Sequence, residues 1–178
     1  FDAAHSVAAL LAVVAAGVLF TAVIQSSGAT LVIAVAAVSN GLFSLEQGCA
    51  LALGATLGTT VTAALAAIRS GTEGRRIAAM HAGANFIGVL GGMVVFYPLV
   101  KVVSLTIPLW GSGIAVTFHL TLHRILLSLV MFRWRHRFSS FVERLIPDPF
   151  PGVRERINLP AATSGGAETC ARVREQIA

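Results

Sequence analysis

The sequence has little charge, few aromatic residues and almost no cysteine. Charged residues make up 12% and aromatic residues 7% of the 178 residues, and the mean hydropathy is +0.81. An ordinary soluble domain has roughly twice this share of charge, so the composition argues against a cytosolic globule. The 56% hydrophobic content excludes disorder. Cys49 and Cys170 form neither a disulfide framework nor a metal-binding spacing. The composition therefore predicts a protein embedded in a lipid bilayer.

Five apolar stretches follow one another along the chain, at 7–24, 29–39, 47–68, 77–100 and 113–132. The last three reach the roughly 20 residues that a helix needs to cross a bilayer. The stretch 29–39 is too short, and only a polar break separates it from 7–24. We therefore predict an all-α, polytopic membrane protein, in which a re-entrant helical hairpin, 7–39, precedes about three transmembrane helices.

The arginines lie mainly in two segments, 69–76 and 133–144, that two predicted crossings separate. The segments 40–46 and 101–112 hold only Glu46 and Lys101 as charged residues. The positive-inside rule then predicts that both arginine segments face the cytoplasm. Because the net charge of +5 belongs to the ends of spans, without a basic patch interleaved with aromatics, we expect no nucleic-acid binding.

The character of the chain changes near residue 138, beyond which three prolines occur within residues 147–151. We predict a transmembrane repeat over 1–137 and a cytoplasmic linker with the start of a truncated helical tail over 138–178. The chain begins at Phe1 without a charged leader, and we expect it to be a piece of a longer protein.

Two polar clusters interrupt the apolar stretches. The first is Gln25, Ser26, Ser27, Gly28, Ala29 and Thr30. Serines in a membrane helix can bond back to the backbone, but Gln25 also brings two donors and an acceptor, so a binding site is favoured. The second runs from Gly54 to Thr62 within 47–68 and includes Gly58. The glycine spacing suits helix packing, whereas the run of threonines favours a helix broken at the membrane midplane, and we predict the break.

A hairpin tip and a broken helix would expose helix N-termini, whose amides and partial positive charge suit an oxyanion such as phosphate. Carbonyl and hydroxyl oxygens in the same segments suit a hard cation such as sodium. No catalytic set of side chains is visible, so we expect a protein that is not an enzyme.

The motifs resemble a known family. The run at 25–30 is similar to the QSSSAT hairpin motif, and the run at 54–62 to the GANIGTTVT motif, of the bacterial branch of the type II sodium/phosphate cotransporters. The segment from Arg76 through His81 to Asn85 resembles the R-x-A-x-x-H-x-x-x-N segment of that family, and His119 with His123 its later histidine-bearing helix. The resemblance covers about 7–132, and the segment 158–178 resembles the start of a PhoU-like domain.

The resemblance implies a symporter of inorganic phosphate and sodium in the bacterial inner membrane, with sodium as the co-transported ion and no organic cofactor. Members contain two inverted repeats, each with one hairpin, and bind substrate between the hairpins. This chain has one such motif, so its site would need a missing second repeat or a second protomer. A symporter of another small anion, a non-transporting membrane component of phosphate signalling and an inactive fragment stay open as alternatives.

The predicted site residues follow from the two clusters together with the resemblance. The predicted substrate-binding residues are Gln25, Ser26, Ser27, Gly28, Ala29, Thr30, Gly58, Thr59 and Thr60, and the ion-binding residues are Gln25, Ser26, Thr56 and Thr59. The amides of Gly28, Ala29 and Gly58 are expected to face the anion. Where the family has Ser, Asn and Asn, this chain has Gly28, Thr56 and His123, which bears on affinity and stoichiometry.

The intramembrane histidines and Arg124 remain without an assigned role. His81 with Asn85, and His119 with His123, are spaced to share a helix face. Without a nearby carboxylate or thiolate, interhelical hydrogen bonds are favoured over a metal site. Arg124 should face the bundle or a watery crevice, because a charge in lipid is costly.

Overall fold

The computed structural model describes residues 7–148, and these form seven helices and no strand. The helices are α1 (Val7–Ile24), α2 (Ser27–Ser39), α3 (Leu45–Ala67), α4 (Thr72–Val94), α5 (Phe96–Ser104), α6 (Ile107–Trp110) and α7 (Ser112–Leu145). Four of them, α1, α3, α4 and α7, are long and apolar enough to cross a membrane, whereas α2 is too short. The predicted all-α, polytopic membrane fold is confirmed.

α3 is the central helix of the bundle. Its residues from Gly48 to Thr56 are all buried, so neighbours surround this half of the helix on every side. α1 runs parallel to α3, with Val14 beside Gly54 and Thr21 beside Gly58. α2 runs the opposite way, since Val38 near its C-terminal end packs on Gly48. Both outer ends of the α1–α2 hairpin therefore lie near the start of α3, and the turn between them lies deep along it.

The two arginine segments lie at the same end of the bundle, as predicted. The Arg76 side chain donates from Nε to the Ile146 carbonyl over 2.9 Å, and Gly83 packs against Phe138. Ser112 contacts Val38 at the opposite end, where its hydroxyl donates to the carbonyl over 3.4 Å. α4 is therefore antiparallel to α7. It is also antiparallel to α3, since Asn85 contacts Thr59 and Gly92 further along α4 packs on Leu53.

The predicted break within 47–68 is wrong, because α3 is continuous from Leu45 to Ala67. The threonine hydroxyls explain how the helix stays intact. Those of Thr56, Thr59 and Thr60 donate to carbonyls three residues earlier, over 2.8, 2.7 and 2.7 Å. The backbone thus satisfies these polar groups without unwinding.

The ends of two other predicted stretches also differ. The stretch 77–100 is divided at Val95 between α4 and α5. α7 continues across the predicted boundary at residue 138 and ends at Leu145, because no glycine or proline occurs between Gly113 and Pro147. The predicted PhoU-like segment lies outside the described residues.

Candidate functional site at the hairpin tip

The chain reverses between α1 and α2 within two residues. Gln25 ends α1 by donating its amide to the Thr21 carbonyl over 2.7 Å. It has a left-handed φ of +57°, and among residues 7–148 it is the single non-glycine residue with a positive φ. Ser26 is extended, with φ −144° and ψ 102°, and α2 begins at Ser27. A left-handed non-glycine residue is strained, and such strain is often found at functional sites.

Ser26 caps the N-terminus of α2. Its Oγ accepts from the Ala29 amide over 3.2 Å, and its carbonyl accepts from the Thr30 amide over 3.3 Å. The prediction that the Ala29 amide faces the anion is therefore wrong, because this amide is already paired with the cap. The amides of Ser27 and Gly28 have no such partner within the part of the chain that the structure describes. These two donors, together with the positive end of the helix dipole, form an arrangement suited to an anion.

A buried hydrogen bond joins the two arms of the hairpin just behind this tip. The hydroxyl oxygens of Thr21 and Thr30 lie 2.7 Å apart, and both residues are fully buried. Gly58 of α3 packs against Thr21, and a Cβ added at this glycine would lie 2.5 Å from the Thr21 Cβ. Thr21 was not among the predicted residues, although its position four residues before Gln25, matching that of Thr30 after Ser26, offered a signal.

We expect the Thr21–Thr30 pair to stabilise the hairpin measurably. Valine has nearly the shape of threonine, so Thr21→Val removes the hydroxyl and leaves Thr30 buried with a weaker partner. Thr21→Val, Thr30→Val and the double variant form a cycle. Unfolding in detergent should give a coupling free energy of about 1 kcal/mol between the two positions. Additive effects of the two substitutions would contradict a bond across the hairpin.

Five of the six predicted substrate residues at the tip reach one short surface, whereas the sixth, Thr30, lies buried behind it in the bond to Thr21. Gln25 and Gly28 are exposed, Ser26, Ser27 and Ala29 are half-buried, and Thr30 is buried. A Cβ added at Gly28 would meet only the Ser26 Oγ, at 3.9 Å. The serine found here in the resembling family would therefore fit this backbone.

The predicted residues of α3 are arranged differently from the expectation. Gly58 packs on α1, and because α3 is unbroken its amide belongs to the helical hydrogen-bond series, so the predicted free amide is not there. Thr56 is 2% exposed. Thr59 and Thr60 are half-buried, and the Thr59 hydroxyl accepts from Asn85 of α4 over 3.5 Å. The glycines of the second cluster thus serve helix packing, the alternative that spacing also allowed.

Arg124 belongs to a separate polar group, which we name the Asn85 group, that joins α3, α4 and α7 and also contains Thr59 and His81. Asn85 is 3% exposed. Its Nδ2 lies 3.0 Å from His81 Nε2, and its Oδ1 accepts from Arg124 over 3.5 Å. Asn85 also contacts Thr59, and the adjacent Gly58 contacts the hairpin. Neighbouring residues of α3 therefore connect the Asn85 group with the hairpin tip. The half-buried Arg124 faces the bundle at this contact, as predicted.

The two buried histidines of α7 have different surroundings. His123 Nε2 lies 2.8 Å from the Gly88 carbonyl of α4, which is an interhelical hydrogen bond. His119 packs edge-on against Phe96, and neither of its ring nitrogens has a hydrogen-bond partner within residues 7–148. The same residues contain no group of three or more side chains that could hold a metal ion.

The helices and the hairpin define a multi-pass membrane protein in which a tight turn between two helices brings polar groups into an apolar bundle. The chain belongs to the Na+/Pi-cotransporter family, whose family model matches residues 4–133. It is also similar to an uncharacterised protein of Bacillus subtilis (strain 168), YqeW, with 33% identity over 73 residues. That match covers 41% of this chain and 24% of the Bacillus protein, so the chain corresponds to a minor part of that relative's length. No solved structure matches the chain.

Proposed function

We propose that the protein that contains this chain takes up inorganic phosphate together with sodium, and that the hairpin tip binds the phosphate. The observation that carries the proposal is the N-terminus of α2, where two unpaired amides and the Ser26 hydroxyl lie at a turn fixed by buried groups. Membership of a sodium/phosphate cotransporter family supports both transported ions.

The phosphate oxygens would accept hydrogen bonds from the amides of Ser27 and Gly28 and from the side chains of Gln25 and Ser27. Ser26 would hold the first turn in place through its bond to the Ala29 amide. Anions at helix N-termini are stabilised by the partial charge of the free amides, and the effect is larger where water is excluded.

Sodium would bind oxygen atoms beside the tip. Gln25 and Ser26 offer amide, hydroxyl and carbonyl oxygens. The Thr59 hydroxyl donates to the Thr56 carbonyl and accepts from Asn85, which leaves it one further lone pair. The continuous α3 makes Thr56 a poorer candidate than predicted, because it is buried and its hydroxyl bonds to Leu53. A co-bound cation would balance part of the charge of the phosphate.

We further propose that this chain is one repeat of the transporter. The described residues contain one hairpin of this kind. A second hairpin, from another repeat or a second protomer, would close the opposite side of the site. In this arrangement the arginine-rich end of the bundle, with the C-terminal end of α7, faces the cytoplasm of a bacterial cell.

Uptake of labelled phosphate by cells or proteoliposomes that contain the whole transporter tests this function. We expect uptake that requires an inward sodium gradient, falls to background when choline replaces sodium, and resists an excess of sulfate. Uptake driven by protons, or inhibited equally by sulfate, would instead indicate a symporter of another small anion. Normal insertion without any flux would favour a non-transporting component of phosphate signalling.

A further inference from the structure

α7 is much longer than a membrane crossing requires. It has 34 residues, about 51 Å at 1.5 Å per residue, whereas a hydrocarbon core is about 30 Å thick. Twenty residues counted from Ser112 end at Met131. With the crossing starting at Ser112, the next segment, Phe132–Arg137, would lie at the level of the lipid headgroups, and we name it the α7 collar.

The α7 collar combines exposed aromatic side chains with arginines stacked on them. Phe132 is 69% and Trp134 is 56% exposed. The Arg135 guanidinium lies 4.4 Å from the centre of the Phe132 ring, and that of Arg137 lies 5.7 Å from the centre of the Trp134 ring. Aromatic rings of this kind are typical of a membrane interface, where the ring meets acyl chains and polar groups meet water.

The charge around the collar is strongly positive. The described arginines at this end of the bundle are Arg69, Arg75, Arg76, Arg133, Arg135, Arg137 and Arg144, and the acidic residues are Glu73, Glu143 and Asp148. Glu73 accepts from Arg76 over 2.8 Å, and Glu143 accepts from Ser139 over 2.9 Å. The opposite end has only Glu46 and Lys101 among the described residues. The collar itself contains three arginines and no acidic residue.

The directions of the arginines favour lipids over a single protein surface. At 100° per residue, Arg133 and Arg137 lie on one face of α7 and Arg135 lies on the opposite face. All three are exposed. Headgroups in a leaflet surround a helix on several sides, whereas an acidic protein partner would contact one.

We propose that the α7 collar binds the headgroups of anionic phospholipids. The arginines would pair with lipid phosphates and the two aromatic rings would lie between the upper acyl chains. Such binding would fix the depth of α7 in the bilayer. Basic residues near an anionic leaflet contribute additively, at about fivefold in affinity for each arginine.

The chain has two tryptophans, Trp110 and Trp134, at opposite ends of the bundle, and this permits a matched test. In the Trp110→Phe chain in nanodiscs, brominated phosphatidylglycerol should quench Trp134 fluorescence more strongly than brominated phosphatidylcholine at the same mole fraction. The Trp134→Phe chain, which reports from Trp110, should show no such preference. Circular dichroism would establish that both variants are folded.

Charge variants separate lipid binding from a general effect of the bilayer. Arg135→Gln together with Arg137→Gln should lower the apparent affinity for phosphatidylglycerol, measured from the quenching of Trp134, by about twenty-five-fold. This value follows from about fivefold for each arginine. Lys101→Gln at the other end should leave it unchanged. Equal quenching by both lipids, or a preference that persists in the double variant, would overturn the proposal. Trp134 fluorescence that shows no lipid preference but changes when an acidic protein is added would overturn lipid binding and assign the collar to a protein partner.

Discussion

Phosphate uptake should fall about ten- to hundredfold when Gln25 is replaced by alanine, as expected for the loss of a hydrogen bond to a charged ligand. The side chain is exposed at the turn and brings two donors and one acceptor to the tip. Because it has no packing role in the bundle core, membrane insertion and helix content should be retained. Initial rates of labelled phosphate uptake, normalised to the amount of protein in the membrane, measure the effect.

Gln25→Gly distinguishes binding from backbone geometry. Glycine adopts a positive φ without strain, so this variant keeps the turn and its melting temperature in detergent should not fall. Uptake should nevertheless be lost to the same extent as in the alanine variant. If glycine restores uptake, Gln25 serves only the turn, and the site assignment is wrong.

Gln47→Ala is the matched control, since it removes the same side chain from the start of α3, away from the tip. Gln47 accepts from the Ser44 amide over 2.9 Å in the capping box of α3. Its loss should lower stability by about 1 kcal/mol. The rate of phosphate uptake per folded molecule should be the same as in the parent protein.

Among substitutions of glycine by alanine in the hairpin region, Gly54→Ala should destabilise the fold most. A Cβ at this position would overlap the Val14 carbonyl of α1, and backbone atoms cannot move aside as a flexible side chain can. Overpacking costs about 1–3 kcal/mol and sometimes more, so separation of α1 from α3 is expected. Thermal unfolding in detergent, together with hydrogen exchange of the hairpin amides, measures this change.

Gly91→Ala provides a control of opposite sign. No heavy atom lies within 4 Å of a Cβ added at Gly91 in α4. Alanine is the better helix former by about 1 kcal/mol, so this variant should be as stable as the parent or more stable. Equal destabilisation by both substitutions would contradict the close contact between α1 and α3.

The sequence by itself determined the helical elements and the position of the turn at the tip. Apolar stretches of sufficient length predict helices, and the polar break at 25–28 placed the turn where Ser26 caps α2. These are local properties, because run length and capping depend on neighbours within a few residues. The distribution of arginines likewise indicated that 69–76 and 133–144 share one end, which the contact of Arg76 with Ile146 confirms.

Only the tertiary structure decided how the second polar cluster is used. A threonine hydroxyl in a membrane can bond back to its own helix or face a cavity, and a glycine can open a helix or admit a neighbour, so the same residues are compatible with both outcomes. The approach of α1 to Gly54 and Gly58 selected an unbroken α3. The Thr21–Thr30 bond and the contact of Arg124 with Asn85 join residues from different helices, and such pairings depend on how the helices pack in three dimensions.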